Sequence, residues 1–385
     1  MGRAVAHLDL DTFFVSCERL NNSKFNNLPL IVGGGNRGVV ASCSYEARKF
    51  GVRSAMPMKM ALRLCPQATV VKGDMELYSK KSREVTEILT ERSPILEKAS
   101  IDEFYLDLTG MDRFFGSYKW TSEVASYIAR ETGLPLSFAL SVNKTVSKIA
   151  TGEGKPLGRL EVPELMVRPF LDPLSVRKIP MVGESTYKLL SRIGVRQIRT
   201  LSEMPMETLQ ALLGKNGADI WKKANGIDNA PVLPYQERKS ISTEQTFFQD
   251  TMEMAKLRGL LTGMVEKLCY QMRSEQLLTS CITVKLRYTN FDTETRQKRI
   301  AYTSADHVIG KIVSELFDGL YQRRMRLRLV GISFSGLVHG NYQIDCFEDT
   351  RGLMNLYQAM DSIKHRFGTD AVRRCGGMSL KNPKT

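Results

Sequence analysis

Apolar residues in the first part of the chain recur with the period of a strand and the period of a helix in alternation. A short, mostly apolar run at 4–10 predicts a strand, and the segment after it predicts a helix with Asp11 as its cap. The stretch from Pro29 to Ser44 is typical of a strand, a glycine turn and a second strand. Two further helices and a buried strand are predicted at 74–91, 120–131 and 136–142. Strands that alternate with helices predict an α+β core.

The pattern changes between residues 169 and 230, where short helical segments are broken by glycine. This composition predicts a compact helical domain. Within it, Met181 to Val195 resembles a helix-hairpin-helix, whose glycine turn presents backbone N–H groups to DNA phosphates. Glu184 lies where that motif often has glycine or a small residue. Residues 231–240 then contain two prolines and a charged end, which predicts an extended linker.

Strands with one basic face are predicted beyond the linker, where helical patterns near 252–275 and 305–320 alternate with strands. Apolar and polar residues alternate strictly in 281–288 and again in 324–329. The basic residues on the polar faces are Lys285, Arg287, Arg324, Arg326 and Arg328. Either a phosphate-binding sheet or an ordinary solvated face of an antiparallel sheet accounts for this pattern.

Length and charge narrow the classes of function. At 385 residues the chain is expected to form roughly two to four domains. Its 55 Lys and Arg outnumber 41 Asp and Glu, and the formal net charge of +14 favours nucleic acid as the partner of the basic faces. No apolar stretch is long enough to span a bilayer and no signal-peptide pattern is present, so a cytoplasmic location is expected. The seven scattered cysteines form no C-x-x-C pair, which argues against structural zinc and disulfides.

Three acidic residues lie in two short apolar strands: Asp9, Asp102 and Glu103. Burying an ionised carboxylate is costly unless it is paired or binds a metal, so a hard divalent cation explains all three together. Mg²⁺ binds through a few carboxylates and substrate phosphates. Two ions roughly 4 Å apart would serve phosphoryl transfer. For any single residue, a helix cap or a turn remains an equal alternative.

Cationic and aromatic side chains near these acids extend the hypothesis. Arg48 and Lys155 supply positive charge that a triphosphate requires, and Tyr45 supplies a hydrogen-bond donor. Alternatively, Tyr45 and Arg48 belong to the solvated face of a helix and Lys155 is an ordinary loop lysine. The glycines at 33–38 lack the spacing of a nucleotide-binding loop, so they predict a hairpin turn. Phe14 is either a core residue or a side chain that excludes a ribose 2′-hydroxyl.

Taken together, seven short sequence motifs make the chain resemble the Y family of translesion DNA polymerases over nearly its whole length. The strings that carry the resemblance are H-L-D-L-D-T-F-F, S-Y-E-A-R-K-F-G-V-R-S-A-M-P, S-I-D-E-F-Y-L-D, N-K-T-V-S-K-I-A, G-K-N-G-A-D-I-W, A-N-G-I-D and R-K-S-I-S-T-E-Q-T-F. The resemblance implies a DNA-directed DNA polymerase that bypasses lesions without proofreading. It implies that Asp9, Asp102 and Glu103 bind two Mg²⁺ ions together with the backbone carbonyl of Leu10, and that Mn²⁺ can substitute. It also implies that Tyr45, Arg48 and Lys155 bind the triphosphate of a dNTP and that Phe14 is the steric gate.

The same resemblance implies an architecture and partners. The implied segments are a palm at 1–25 and 72–168, fingers at 26–71, a thumb at 169–230, a linker at 231–240, a little finger at 241–340 and a tail at 341–385. The partners are primer-template DNA, which the basic strands would contact, and a sliding clamp, with the protein itself a monomer. Gln343 and Phe347 would anchor the clamp-binding peptide, in which Cys346 stands where leucine is usual. Gly152 and Leu157 depart from the family pattern near Lys155.

Two other classes of function are compatible with parts of the sequence. A non-catalytic DNA-binding or clamp-associated protein would need a degraded acidic trio, and all three acids are present. A nucleotide cyclase on a related palm-like sheet would not need the helical segment or the arginine-faced strands. Incubation with nucleotide alone separates the cyclase from the polymerase, since a cyclase needs no primer.

Overall fold

The chain divides into two units, Met1–Gln236 and Glu237–Thr385. The structure is a computed structural model that describes residues 2–35, 37–111, 116–234, 237–340 and 350–373. The strands of the first unit are β1 (Val5–Leu10), β2 (Leu30–Gly33), β3 (Val40–Cys43), β4 (Thr69–Val71), β5 (Ile95–Lys98), β6 (Glu103–Asp107), β7 (Leu136–Ser141) and β8 (Arg159–Val162). Its helices are α1 (Phe13–Asn21), α2 (Tyr45–Lys49), α3 (Met58–Leu64), α4 (Met75–Arg92), α5 (Ser117–Thr132), α6 (Lys144–Gly154), α7 (Val167–Leu171), α8 (Glu184–Arg192), α9 (Ile198–Glu203), α10 (Met206–Leu213) and α11 (Lys215–Ala224). The second unit contains β9 (Ser240–Thr251), α12 (Met254–Ser274), β10 (Leu277–Tyr288), β11 (Thr293–Thr303), α13 (Asp306–Leu320), β12 (Leu327–His339) and α14 (Thr350–Phe367).

Strand β1 lies at the centre of a sheet with the order β5-β6-β1-β7-β8. It pairs antiparallel with both β6 and β7. Its alternate residues Ala6, Leu8 and Leu10 are buried in a core formed with α1, α4 and α5. The opposite face of the sheet meets α6, whose Ser147 and Thr151 hydroxyls donate to backbone carbonyls of β1. Helices on both faces explain why all six residues of β7 are buried.

A small sheet with the order β3-β2-β4 packs with α2 and α3 around its own apolar cluster. Strands β2 and β3 are antiparallel, which confirms the predicted strand, turn and strand between residues 29 and 44. After β8, the short helices α7 to α11 share a further core, which confirms the predicted helical segment. The predicted helices and strand at 74–91, 120–131 and 136–142 are likewise confirmed as α4, α5 and β7.

The first residues of the predicted linker are bound to the first unit. The backbone N–H of Leu233 donates to Glu97 at 2.8 Å, and the Lys144 ammonium donates to the carbonyl of Pro231 at 3.3 Å. The side chain of Val232 is buried against Val5 and Tyr105. Because these contacts join residues more than 80 positions apart, they hold residues 231–233 against the first unit.

The second unit is a sheet with the order β11-β10-β12-β9, covered on one face by α12 and α13. The helices predicted near 252–275 and 305–320 are confirmed as α12 and α13. Helix α14 is joined to α12 and α13 by the Arg273 guanidinium, which donates to Asp361 at 2.6 Å and to Asp306 at 2.6 Å. The β-strand predicted at 324–329 is wrong in its first three residues, because β12 begins only at Leu327.

The predicted cap of α1 is also wrong. The N-cap residue is Thr12, which has a left-handed backbone (φ 43°, ψ 46°) and makes no capping hydrogen bond through its side chain. Asp11 precedes it, and its carboxylate faces β7 and the loop after α6 instead.

Candidate active site

A cleft of about 150 Å³ opens at the end of β1. The residues that line it are Asp9, Leu10, Thr12, Phe13, Phe14, Ala41, Ser42, Arg48, Ser54, Asp102 and Lys155. Sheet pairing brings the acidic strands together, since Asp9 lies directly opposite Glu103 and the N–H of Leu10 donates to the carbonyl of Asp102 at 3.0 Å. Positions that are about 93 residues apart in sequence therefore meet at one place, as the sequence predicts.

Three carboxylates of this sheet face, those of Asp9, Glu103 and Glu97, have lysine partners. The Lys155 ammonium donates to Asp9, the Lys148 ammonium donates to Glu103 at 2.5 Å, and the Lys144 ammonium donates to Glu97 at 2.7 Å. Lys144 and Lys148 are one turn apart on α6, so they follow the acidic face of the sheet. Glu103 faces Lys148 and is not among the residues that line the cleft.

Burial raises the pKa of Asp9 to about 6, and the negative charges of Glu103 and Asp102 act in the same direction while Lys155 opposes them. A carboxylate that is destabilised by burial gains from a cation, and Mg²⁺ prefers carboxylate and carbonyl oxygens. Asp9, Asp102 and the carbonyl-bearing Leu10 therefore fit a metal site. Within the described ranges, the side chains as they stand form no group of three or more His, Cys, Asp or Glu that could hold an ion.

The candidate triphosphate-binding residues lie on two elements beside the acids. Ser44 caps α2 by accepting a hydrogen bond from the N–H of Ala47, which starts the helix at Tyr45. The guanidinium of Arg48 lies 4.9 Å from the centre of the Tyr45 ring. Arg48 lines the cleft, and its Nε is buried without a hydrogen-bond partner in the part of the chain that the structure describes. A donor left unpaired beside a cleft suits an anionic ligand.

Phe14 lines the cleft and is held by an aromatic stack. Its ring lies parallel to the ring of Tyr78, with centroids 4.3 Å apart and an interplanar angle of 11°. The Tyr78 hydroxyl donates to the buried carboxylate of Glu18 at 2.5 Å. Burial raises the pKa of the Tyr78 phenol, so this side chain remains a neutral donor. Phe13 and the small side chains of Ala41 and Ser42 also face the cleft.

Asp11 is a buried carboxylate beside this cleft that sequence reasoning assigned to a helix cap. It accepts hydrogen bonds from the Ser137 hydroxyl at 2.9 Å, the Leu157 N–H at 2.8 Å and the Tyr45 hydroxyl at 3.3 Å. Burial, followed by the charge of Asp11, raises the pKa of Tyr45, so the phenol stays protonated and donates. The D-L-D string indicates that Asp11 lies on the same side as Asp9, because residues two apart at a strand end project to the same side, but it does not indicate the partners of Asp11.

The turn that the sequence predicts as part of a helix-hairpin-helix precedes α8 and has an unusual backbone. Met181 has φ +82°, a conformation that favours glycine, and its side chain is exposed. Glu184 is the first residue of α8, with Gly183 as the N-cap. Met181 is therefore the residue whose type does not suit the left-handed backbone of the turn. Glu184 suits its position, because a negative charge is favourable at a helix N-terminus.

The basic residues of the second unit lie in several environments. Lys285 reaches across Gly331 of β12 and donates to Glu244 of β9 at 2.8 Å, and Arg287 donates to Thr293 at 2.8 Å. A Cβ added at Gly331 would lie 2.7 Å from the Glu244 side chain, so the glycine permits this pair. Arg324 and Arg326 precede β12 and are exposed. Arg328 is the second residue of β12, and its guanidinium lies 4.6 Å from the centre of the Phe291 ring. Gln343 and Phe347 lie outside the described residues.

Among the residues that the structure describes, no helix combines the length and the apolar character that crossing a membrane requires.

Family models match three parts of the chain. The impB/mucB/samB family matches residues 8–152, its C-terminal domain matches 238–346, and a thumb domain described for DNA polymerase-iota matches 177–228. The first match includes every residue that lines the cleft except Lys155, and the second includes the basic residues of the second unit.

Curated relatives match along nearly the whole chain. A DNA polymerase IV of Dehalococcoides mccartyi is 36% identical over 385 residues, which cover 99% of each protein. A DNA polymerase IV of Caulobacter vibrioides is 33% identical, with 96% of this chain and 93% of the relative covered. A solved Y-family DNA polymerase chimera of Dbh and Dpo4 shares the fold, with a TM-score of 0.77 and 24% identity, over 88% of this chain and all of that one.

The chain therefore belongs to the impB/mucB/samB family, the Y family of DNA polymerases, and is a polymerase enzyme of the nucleotidyltransferase class. Its similar relatives carry the name DNA polymerase IV.

Proposed function

We propose that this enzyme copies DNA past damaged template positions, adding dNTPs to a primer 3′-hydroxyl without proofreading. The observation that supports this most directly is the shared cleft of Asp9, Asp102, Arg48 and Lys155. Carboxylates for a metal lie there beside cations for phosphates, which is the combination that nucleotidyl transfer requires. The relatives named DNA polymerase IV support the same reaction.

The metal-binding residues in this proposal are Asp9, Asp102, Glu103 and the backbone carbonyl of Leu10. When bound, two Mg²⁺ ions, or Mn²⁺ in their place, supply activation of the attacking 3′-oxygen and stabilisation of the leaving pyrophosphate. Lys155 and Lys148 lie against Asp9 and Glu103, so each carboxylate exchanges an ammonium partner for a metal ion when it binds one.

The triphosphate-binding residues in this proposal are Tyr45, Arg48 and Lys155. Arg48 brings an unpaired buried donor to the cleft, and Lys155 brings an ammonium that already lies between Asp9 and Asp11. A triphosphate offers both cations an anionic partner, and charge-assisted hydrogen bonds of this kind are among the strongest in proteins. Phe14 acts in the proposal as the steric gate, because its stacked ring lines the cleft in a fixed orientation.

The remaining parts of the chain are proposed to hold DNA and a sliding clamp. In this division the palm is 1–25 and 72–168, the fingers are 26–71, the thumb is 169–230 and the little finger is 241–340. The thumb turn and the basic residues of the little finger would contact the DNA backbone, which requires positive charge and little geometric precision. Gln343 and Phe347 are proposed to bind a sliding clamp, the protein is proposed to act as a monomer, and its DNA substrate favours a cytoplasmic location.

Primer extension on a template with an abasic site or a bulky adduct tests the function. With Mg²⁺ or Mn²⁺, the purified and folded full chain should extend the primer past the lesion. A primer with a mismatched 3′-end should not be shortened when dNTPs are withheld. DNA binding without extension would indicate a non-catalytic protein, and a cyclic product formed without a primer would indicate a cyclase.

A further inference from the structure

Asp11 connects three elements that carry the proposed triphosphate-binding residues. Its side chain is 2% exposed, and it lies within reach of β7, of α2 and of the loop that follows α6. Each of its hydrogen-bond partners donates: the hydroxyl of Ser137, the hydroxyl of Tyr45 and the backbone N–H of Leu157. A carboxylate has enough acceptor positions for all three, whereas an amide has one acceptor oxygen and a donor group.

The loop that carries Lys155 depends on these bonds. Leu157 has φ +54° and a side chain that is 65% exposed, so it occupies a left-handed conformation without burying apolar surface in return. Asp11 holds the Leu157 N–H, and the Ser137 hydroxyl accepts from the next N–H, that of Gly158, at 3.1 Å. The Lys155 ammonium itself lies 4.0 Å from Asp11. The conformation of the loop is therefore maintained by contacts from outside it.

Tyr45 is oriented by the same carboxylate. Its hydroxyl donates to Oδ1 of Asp11 at 3.3 Å, while the Arg48 guanidinium lies against its ring. A carboxylate that binds both Tyr45 and the Lys155 loop fixes the distance between the two elements before a nucleotide arrives. Such preorganisation lowers the entropy cost of binding.

We propose that Asp11 is a positioning residue that sets the affinity for the incoming nucleotide by holding Tyr45 and the Lys155 loop in register. The proposal rests on the proposed function, because it assigns the nucleotide to Tyr45 and Lys155. It gives Asp11 a role that differs from that of its neighbour Asp9, although both are acidic residues at the end of β1.

The test compares Asp11→Asn with Asp107→Asn in steady-state kinetics. Asp107 is a matched control, because it lies on β6 of the same sheet and its carboxylate also accepts a backbone N–H, at 3.0 Å from Thr109. For Asp11→Asn we expect KM for dNTP to rise about tenfold. We expect kcat and the Kd for primer-template DNA to stay within about twofold of wild type. The control should leave all three values unchanged.

A double-mutant cycle with Tyr45→Phe separates positioning from general stability. If Asp11 acts through Tyr45, Tyr45→Phe should raise KM in the wild-type background and have a smaller effect in the Asp11→Asn background. Full additivity would contradict action through Tyr45, and a loss of kcat with unchanged KM would mean that Asp11 serves the chemical step. If Asp11→Asn does not fold, Ser137→Ala carries the test with a smaller expected rise in KM, and an unchanged KM would overturn the proposal.

Equilibrium binding of a nonhydrolysable dNTP to the DNA complex gives a second readout that needs no turnover. If the wild type binds the analogue and Asp11→Asn weakens that binding about tenfold, the positioning role holds even where extension assays fail. If both proteins bind it equally, the positioning role is wrong while the polymerase function remains supported by extension.

Discussion

Charged side chains are held differently in the acidic cleft of the first unit and on the basic sheet face of the second. Asp9 in the cleft is 13% exposed and Asp11 beside it is 2% exposed, and both have specific partners. On the sheet face, Lys285 is 30% exposed and its partner Glu244 is 41% exposed. Arg324 and Arg326 are exposed and precede β12.

The difference predicts how each region responds to substitution. In the buried cleft an unpaired charge or donor is costly and the interactions are short-ranged, so single changes should have large effects that depend on geometry. At the surface an ion pair contributes at most about 1 kcal/mol, so single changes should be small and additive. Chemistry requires the first arrangement, whereas binding to a uniform phosphate backbone requires only the second.

The largest effect is expected for Asp102→Ala. Asp102 lines the cleft and accepts a hydrogen bond from Ser100 at 2.6 Å, so its carboxylate is already oriented. Its loss should lower dNTP incorporation by at least about a thousandfold, because a proposed metal ligand is removed. DNA affinity should be unchanged or slightly higher, since a negative charge is lost. Single-turnover extension and DNA-binding titrations on the same preparation measure both.

Asp107→Ala is the control for this experiment, because Asp107 lies on the next acidic position of β6 and does not line the cleft. It should retain incorporation. Parallel loss of incorporation and DNA binding in Asp102→Ala would contradict the division of labour between the two regions.

The second effect concerns selection of the sugar. Phe14→Ala should raise the ratio of ribonucleotide to deoxyribonucleotide kcat/KM by about a hundredfold, because the ring that would meet a 2′-hydroxyl is removed. Tyr78→Leu should raise the ratio by less, since Phe14 remains but loses its stacking partner.

Tyr78→Phe is the matched control for the gate. It keeps the stacked ring and removes only the hydrogen bond to Glu18, so protein stability should fall while sugar selectivity is retained. Equal selectivity in wild type and Phe14→Ala would show that another group excludes the ribose.

Local periodicity was sufficient to predict most elements of the fold. Strand β7 and helices α4 and α5 follow from apolar spacing and from caps such as Asp74, which accepts from the N–H groups of Glu76 and Leu77. The start of β12 was not predictable in this way, because three alternating residues before Leu327 continue the same pattern without joining the sheet.

The candidate site was predictable where the sequence string itself is unusual. Acidic residues in two apolar segments indicate Asp9 and Asp102 without any structure, although Asp102 lies in the bend before β6 and not in the predicted strand. The role of Asp11 was not predictable, because its partners Ser137 and Leu157 are 126 and 146 residues away and the left-handed backbone of Thr12 removes Asp11 from the cap position. Lysine partners such as Lys148 for Glu103 likewise require the packing of α6 on the sheet.

The third effect is a pH dependence of stability that arises from Asp9. Its pKa in the folded protein is about 6, above the value of about 3.9 for an unfolded chain, so the folded state binds more protons between these values. The contribution of Asp9 to stability is therefore greatest below about pH 4 and is lost as the pH rises through 6. The full change should be about 3 kcal/mol, of which about 2 kcal/mol falls between pH 4.5 and pH 8, and Asp9→Asn should not show it.

Urea unfolding in EDTA gives the free energy of unfolding of wild type and of Asp9→Asn at pH 4.5 and at pH 8. The contribution of Asp9 is the change, between the two pH values, in the difference between the two proteins. Carboxylates remote from Asp9 titrate equally in both proteins and cancel. A constant difference between the two proteins at both pH values would show that Asp9 is not destabilised by its burial.

The smallest effects on DNA binding are expected for substitutions of the basic residues in and just before the strands of the second unit. Arg326→Ala should weaken DNA binding by about two- to fivefold and reduce the slope of log affinity against log salt by about one, since one phosphate contact is lost. Lys285→Ala should change affinity less, because Lys285 already has Glu244 as a partner and must exchange it to bind phosphate. Arg258→Ala is the matched control: Arg258 is 51% exposed and pairs with Asp318 on the helical layer at 2.8 Å. If the Arg258 variant loses as much affinity as the Arg326 variant, net charge alone accounts for binding, and the sheet face has no special role.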